Sequence, residues 1–216
     1  QFVKEDHPLI YEQIKERIAE GRWETEGAMY LEADCNLTSG ESLVRQLLYG
    51  KRFFKQEFGL DSRILWLPDV FGYSGNLPQI LRRSGVDFFI TSKISWNQYN
   101  RVPHDLFYWQ GIDGSRIPCA FITAPETAFP EDSFFSTYNG KMDAKSVFGT
   151  WKRFQDKGIC DAVILPYGYG DGGGGTTREM VLYADALKEG ISGCPSVEFS
   201  GIKDYADYAA GKLEKT

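Results

Sequence analysis

The stretch Arg63-Ile-Leu-Trp-Leu-Pro-Asp69-Val-Phe-Gly-Tyr-Ser-Gly-Asn76 decides how the whole chain folds. An apolar run of strand length ends abruptly in a carboxylate, and two glycines and an asparagine follow before a helix that Pro78 starts. Parallel strands that end on a reactive group and open into a loop are the hallmark of α/β layouts, because their functional side chains sit at the strands' carboxyl ends.

Upstream, Thr38 and Glu41 form a capping-box pattern ahead of Leu43, Val44, Leu47, Leu48, Phe54 and Phe58, with Gly59 as the stop. That predicts the clearest helix in the chain. Ile10, Ile14 and Ile18 recur after Pro8 at four-residue spacing and predict an amphipathic helix closed by Gly21. Residues 28–34, Ala-Met-Tyr-Leu-Glu-Ala-Asp, read as a strand between the two.

Downstream, a short helix from Pro78 to Gly85 leads into a strand over 87–91. Residues 106–110 and 116–122 flank an Asp113-Gly114 turn, which predicts a hairpin set apart from the main layout. Residues 123–143 have no periodicity and read as a long loop. The alternation resumes with a helix over 144–157, a strand over 162–166, a helix over 177–188, a strand over 196–199 and a final helix near Ile202. No repeat or linker divides residues 1–216, so one domain is expected. Strands alternating with helices imply parallel pairing through right-handed crossovers. About five such strands are fewer than the eight of a complete barrel, which leaves an open sheet or an incomplete barrel.

A net charge of -6, from 30 acidic and 24 basic residues with no basic block, disfavours nucleic acid and anionic membranes as partners. A neutral substrate is easier to accept. No apolar run approaches the roughly 20 residues of a membrane span, and no signal-peptide pattern opens the chain. Cys35, Cys119, Cys160 and Cys194 lack CxxC spacing and read as a reduced, cytoplasmic set. Gln1 and the early helical pattern suggest an internal part of a larger protein.

The strand ends present Glu32 and Asp34, then Asp69, then Thr91 to Lys93, then Asp171. A solvated acidic rim accounts for Asp34 as well as a function does. Asp69 and Asp171 are stronger candidates, since glycine-rich backbone beside each clears space for a ligand. Gly168-x-Gly170-x-x-Gly173, between a predicted strand and helix, matches a dinucleotide fingerprint and suggests an NAD-binding oxidoreductase, with Glu198 downstream as a ribose ligand. Charge opposes it: Asp171 stands where a pyrophosphate would lie, and such a like-charge contact costs several kcal/mol at roughly 4 Å. No GK[ST] follows the glycines, which excludes a P-loop.

Two acids at strand ends suggest glycoside hydrolysis, one attacking the sugar and the other protonating the leaving oxygen. Phe71, Tyr73, Trp96, Tyr99, Tyr167 and Tyr169 could stack on a pyranose, although core packing explains aromatics more often; Phe71 and Tyr73 lie straight after Asp69. His7 and His104 form no metal motif and read as surface residues, and no GxSxG supports a serine nucleophile.

Gly21-Arg-Trp-Glu24, Glu32-Ala-Asp-Cys-Asn36, Ser39-Gly-Glu-Ser-Leu-Val-Arg45, Trp66-Leu-Pro-Asp-Val-Phe-Gly-Tyr-Ser74, Trp109-Gln-Gly-Ile-Asp-Gly-Ser115 and Gly168-Tyr-Gly-Asp-Gly-Gly-Gly-Gly175 resemble glycoside hydrolase family 38 alpha-mannosidases. The cytosolic and bacterial branch is the most similar, and the motifs run in the family's order from about residue 8 to 200. The resemblance implies a (β/α)7-type barrel of parallel strands with flanking helices, incomplete at both ends. It also implies zinc, and retaining hydrolysis of a mannoside or oligosaccharide through a covalent mannosyl-enzyme. By motif position Asp69 would be nucleophile and zinc ligand, Phe71 the aromatic beside the sugar, and Asp171 the general acid/base. The family's zinc site also takes a His-x-Asp pair and a later histidine, neither of which this chain carries. The polypeptide alone is therefore expected to be inactive, and its parent's homo-oligomerisation is left open. A catalytically silent carbohydrate-binding domain stands as the third reading.

Overall fold

A computed structural model describes residues 1–130 and 133–215. Its centre is one four-stranded sheet in the order β1-β2-β4-β3, built from β1 (Ile64–Leu67), β2 (Phe88–Thr91), β3 (Leu106–Gln110) and β4 (Arg116–Phe121). β1 pairs parallel with β2, β2 parallel with β4, and β3 antiparallel with β4.

This overturns the expected barrel. The hairpin is part of the sheet, and β3 pairs along the outer edge of β4 from Leu106–Ala120 to Gln110–Arg116, so the edge a next parallel strand would need is taken. Of the predicted strands, 28–34, 162–166 and 196–199 form no ladder. The first lies beside β1, tied by Gly27 N–H to Ile64 O at 3.2 Å and by a parallel bridge between Cys35 and Tyr73. Ala28 sits at φ 57°, a left-handed conformation that breaks strand geometry. Side chains stand in for the ladder there: Glu26 accepts from Ser62 Oγ at 2.9 Å and Ile64 N–H at 3.2 Å, and Ser62 Oγ accepts from Ala28 N–H at 3.1 Å.

Helices cover both faces. The strands alternate sides, so Leu65, Leu67, Phe89, Ile117 and Cys119 face one core while Ile64, Phe88, Ile90, Ala120 and Ile122 face the other. The first core is closed by Leu43 and Leu47 of the helix Gly40–Phe58 and by Leu77 and Leu81 of the helix Leu77–Arg83. The second is closed by Tyr205, Ala206, Ala209 and Leu213 of the helix Ile202–Leu213 together with Phe154. Burying each Leu or Ile contributes about 1.5–3 kcal/mol, so these alternating positions are the main driving force for the layout.

The long helix is capped one residue later than its sequence suggests: Ser39 Oγ, rather than Thr38, accepts from Ser42 N–H, and Gly59 closes it at φ 72°. Gly50 within it faces the irregular 28–30 segment, where a Cβ would overlap the backbone of Ala28 and Met29 and stand 2.6 Å from Tyr30 N. The helix Ala144–Arg153 ends before residue 157, since Phe154 is extended and buried and Asp156 turns back to accept from Asp105 N–H at 2.6 Å and Leu106 N–H at 2.8 Å. Helices Phe2–Asp6, Pro8–Ala19 and Arg178–Lys188 complete the set. Residues 123–130 and 133–143 form no helix or strand, in keeping with a long loop, and 131–132 lie outside the described residues.

Candidate active site

Asp69 leaves β1 one residue after Pro68, at the carboxyl end of the parallel strands. Its Oδ1 lies 3.2 Å from Lys93 Nζ; the lysine side chain is 8% exposed and that of Asp69 35%. Lys93 reaches it from the 3₁₀ turn Lys93–Ser95 that follows β2. A buried ammonium is unfavourable unless paired and packed. Here Trp96 meets it at 4.0 Å, Tyr138 at 5.3 Å and Phe71 at 5.7 Å, measured to the ring centroids.

The turn is fixed by bonds between the two strand ends. Ser92 Oγ–H donates to Pro68 O, and the Tyr73 hydroxyl lies 3.1 Å from Leu67 O and 2.6 Å from Thr91 Oγ1. Tyr73 thus belongs to the core, against Phe89 at 4.9 Å, and does not offer a face to a sugar. Phe71 is 64% exposed and meets Trp96 edge-on at 6.1 Å. Trp96 stacks on Phe135 at 5.3 Å and donates its indole N–H to Ser136 O at 2.8 Å, while Tyr99 is 94% exposed, out in solvent.

Asp171 arrives differently. Residues 167–175 fold back on themselves through the Tyr169–Gly175 bridge, with Asp171 exposed at φ 54° and Gly168, Gly172, Gly174 and Gly175 also left-handed. The loop is held by Gly170 N–H donating to Asn139 Oδ1 at 2.7 Å. A Cβ on Gly170 would come within 2.6 Å of the Tyr138 ring, so glycine is what lets this loop lie against Tyr138.

Tyr138 links the two stretches: its ring stands 5.3 Å from Lys93 Nζ and lies against Gly170. Partial burial, followed by the charges of Asp69, Asp171 and Glu32, pushes its hydroxyl up to about 12. Glu32 accepts from Asp69 N–H at 2.5 Å. Its carboxyl is raised by burial, lowered by that N–H bond, raised again by the Asp69 charge and lowered by Lys93, for a net upward shift. Asp34, two residues on, is a turn residue: it accepts from Asn36 N–H at 3.0 Å and Leu37 N–H at 2.7 Å, which hold its carboxyl below the usual range.

Along the whole chain, residues 1–216, the sequence matches the profile described as "Glycosyl hydrolases family 38 N-terminal domain". The chain belongs to glycosyl hydrolase family 38. It is 43% identical over 200 residues to alpha-mannosidase G of Dictyostelium discoideum and 40% identical over 202 residues to human alpha-mannosidase 2C1. Each match covers 93% of this chain but only 17% and 18% of those relatives, so the chain spans under a fifth of their length. The solved alpha-mannosidase of Enterococcus faecalis V583 has the same fold over 99% of this chain and 24% of its own, with a TM-score of 0.73 at 16% identity.

In this family-38 chain the dinucleotide reading loses its footing: no strand leads directly into Gly168, the glycine loop closes on itself, and the exposed Glu198 lies in irregular chain. His104 binds Asp156 Oδ1 at 2.7 Å through Nδ1 and so ties a loop down. The residues present do not by themselves fit zinc. Among the described residues no group of three His, Cys, Asp or Glu could hold a metal, and Asp69 Oδ1 already faces an ammonium. The sequence offers Asp69, Phe71 and Asp171 as candidates and gives no role to Lys93 or Tyr138, which the structure places beside them. Lys93 had one signal, its place at a strand's carboxyl end; Tyr138 lies in aperiodic chain and had none.

Proposed function

We propose that this chain supplies the nucleophile and the general acid/base of a retaining alpha-mannosidase. The observation that carries the reading is Asp69 at the carboxyl end of the parallel strands, its carboxylate 3.2 Å from the buried Lys93 ammonium and an exposed Phe71 two residues on. The family supports a glycoside hydrolase as parent, and the relatives' names support a mannoside as its substrate.

In this reading Phe71 receives an apolar face of the sugar, which orients the anomeric carbon toward Asp69. The Asp69 carboxylate attacks that carbon as the glycosidic bond breaks, and Asp171 gives its proton to the departing oxygen. Water then displaces Asp69, with Asp171 taking the water's proton, so the configuration is retained. The two carboxyl groups need to stand about 5–5.5 Å apart for this chemistry. Lys93 stays paired with Asp69 and holds the carboxylate in place. Zinc, which the family resemblance calls for, requires ligands beyond those assembled among the described residues.

Four free cysteines, three of them buried, fit a reducing compartment and support a cytoplasmic setting. No helix among the described residues is long and apolar enough to cross a membrane. The test is turnover of an aryl alpha-mannoside by the full-length protein carrying this chain. Asp69→Ala is expected to abolish it, and the 216-residue polypeptide alone is expected to show none. Full activity in a folded Asp69→Ala protein refutes the assignment.

A further inference from the structure

Glu32 stands in a segment that reads as a strand and forms none. Its backbone is nevertheless held at both ends. On one side Tyr30 N–H donates to Gln46 O and Leu31 N–H to Gln46 Oε1, each at 2.9 Å, over the close approach that Gly50 permits. On the other, Ser74 N–H donates to Cys35 O at 3.0 Å. Between these anchors the Glu32 carboxylate meets the peptide N–H of Asp69 at 2.5 Å, where the chain has left β1 and no ladder partner remains for that donor.

The contact brings two carboxylates near each other, an unfavourable placement unless it does something for the chain. What it fixes is the peptide from which the Asp69 side chain springs. Lys93 grips the carboxylate end of that side chain and Glu32 its backbone end, so the direction of attack is set from both sides. We propose that Glu32 is a positioning residue for the Asp69 nucleophile, acting by accepting the Asp69 N–H. This rests on the reading of Asp69 given above. Holding a reacting group in line is worth large factors, and a misplacement of about 1 Å can cost about 100-fold in rate.

The alternative is that Glu32 merely fastens the 28–35 segment to the sheet. The full-length protein separates the two through Glu32→Ala, which removes the acceptor, and Glu32→Gln, whose amide oxygen keeps it. Positioning predicts that Glu32→Ala lowers kcat by about 100-fold with KM near the parent value, while Glu32→Gln restores most of that loss. Should Glu32→Ala fail to fold, Glu32→Asp, one methylene too short to reach the Asp69 N–H, takes its place and is expected to show the same fall in kcat. The proposal is overturned by kcat within about twofold of the parent in a folded Glu32→Ala or Glu32→Asp protein. Equal impairment of Glu32→Gln and Glu32→Ala also overturns it, since the charge and not the hydrogen bond would then matter. Asp69→Ala run in parallel keeps the two ideas apart: its inactivity beside an unaffected Glu32→Ala removes only Glu32, whereas its full activity removes the underlying reading.

Discussion

The chain holds its two candidate acids by opposite means. Asp69 follows a buried parallel strand, its carboxylate paired with a nearly buried lysine and its turn tied to β2 through Ser92 and Tyr73. Asp171 is exposed on a loop of left-handed glycines whose side-chain anchor is Asn139. Strong, converging contacts suit a nucleophile, which must meet one carbon along one line. A proton donor tolerates more latitude, and a glycine loop gives it room to act first as acid and then as base. The contrast teaches that two carboxylates can be held by different physics, packing and ion pairing for Asp69 and backbone permissiveness for Asp171, which is what the two proposed roles would each require.

The largest effect that probes this contrast is chemical. Asp171→Asn in the full-length protein is expected to reduce kcat/KM, which reports the step that breaks the glycosidic bond, by about 10²–10⁴-fold on mannosides with poor leaving groups. On an activated nitrophenyl leaving group, which departs without a proton, the same variant should lose far less. Equal losses on both substrates, read from steady-state kinetics, would remove Asp171 from the acid/base role and erase the distinction between the acids.

Gly50→Ala tests the packing beneath the Asp69 side of the comparison. Helix propensity favours Ala over Gly by about 1 kcal/mol. Overlap with the backbone of Ala28 and Met29 opposes it, because backbone on a packed helix has nowhere to go. Overpacking wins, with a net loss of about 2–3 kcal/mol measured by urea denaturation. A stability equal to the parent's would mean that the 28–35 segment is not seated against this helix.

The smallest effect is a pH dependence at Glu26, whose carboxyl burial raises while its bonds to Ser62 and Ile64 pull it down. With the folded value above the unfolded one, the protonated form is the one folding favours. Stability therefore falls as pH rises from the unfolded carboxyl value of about 4 through the raised folded value. Glu26→Gln keeps an acceptor and removes the titration, so its melting temperature should gain on the parent's between about pH 4 and 7. A constant difference across that range would contradict the assignment.

The sequence carried the regular elements well where one principle acted alone. Continuous apolar runs at 64–67 and 88–91 became strands, and the Asp113-Gly114 turn became a hairpin. It failed where a tertiary event outranked local pattern. Residues 162–166 are as apolar as β1, but the antiparallel β3 holds the edge of β4, and 162–166 runs instead beside Gly140, where a Cβ would overlap Pro166 O. Residues 28–34 lost their ladder to the left-handed Ala28 and the side-chain bonds of Glu26. At the site, Asp69 was legible because a strand stops on it. Lys93 was not, since its reach depends on a 3₁₀ turn and an aromatic enclosure drawn from 71, 96 and 138. Tyr73, close in sequence to Asp69, is in the core and not a stacking face because its inward turn is set by Thr91 and Phe89 across the sheet.

The most direct test of the account is to trap the covalent intermediate. The full-length protein is incubated with a fluorinated mannosyl fluoride that forms the glycosyl-enzyme faster than water releases it, then digested and mapped by mass spectrometry. The account predicts a single mannosyl-derived mass on the peptide containing Asp69, with Asp171 unlabelled. Label on another carboxylate, or none in an enzyme inactivated by the reagent, would contradict it.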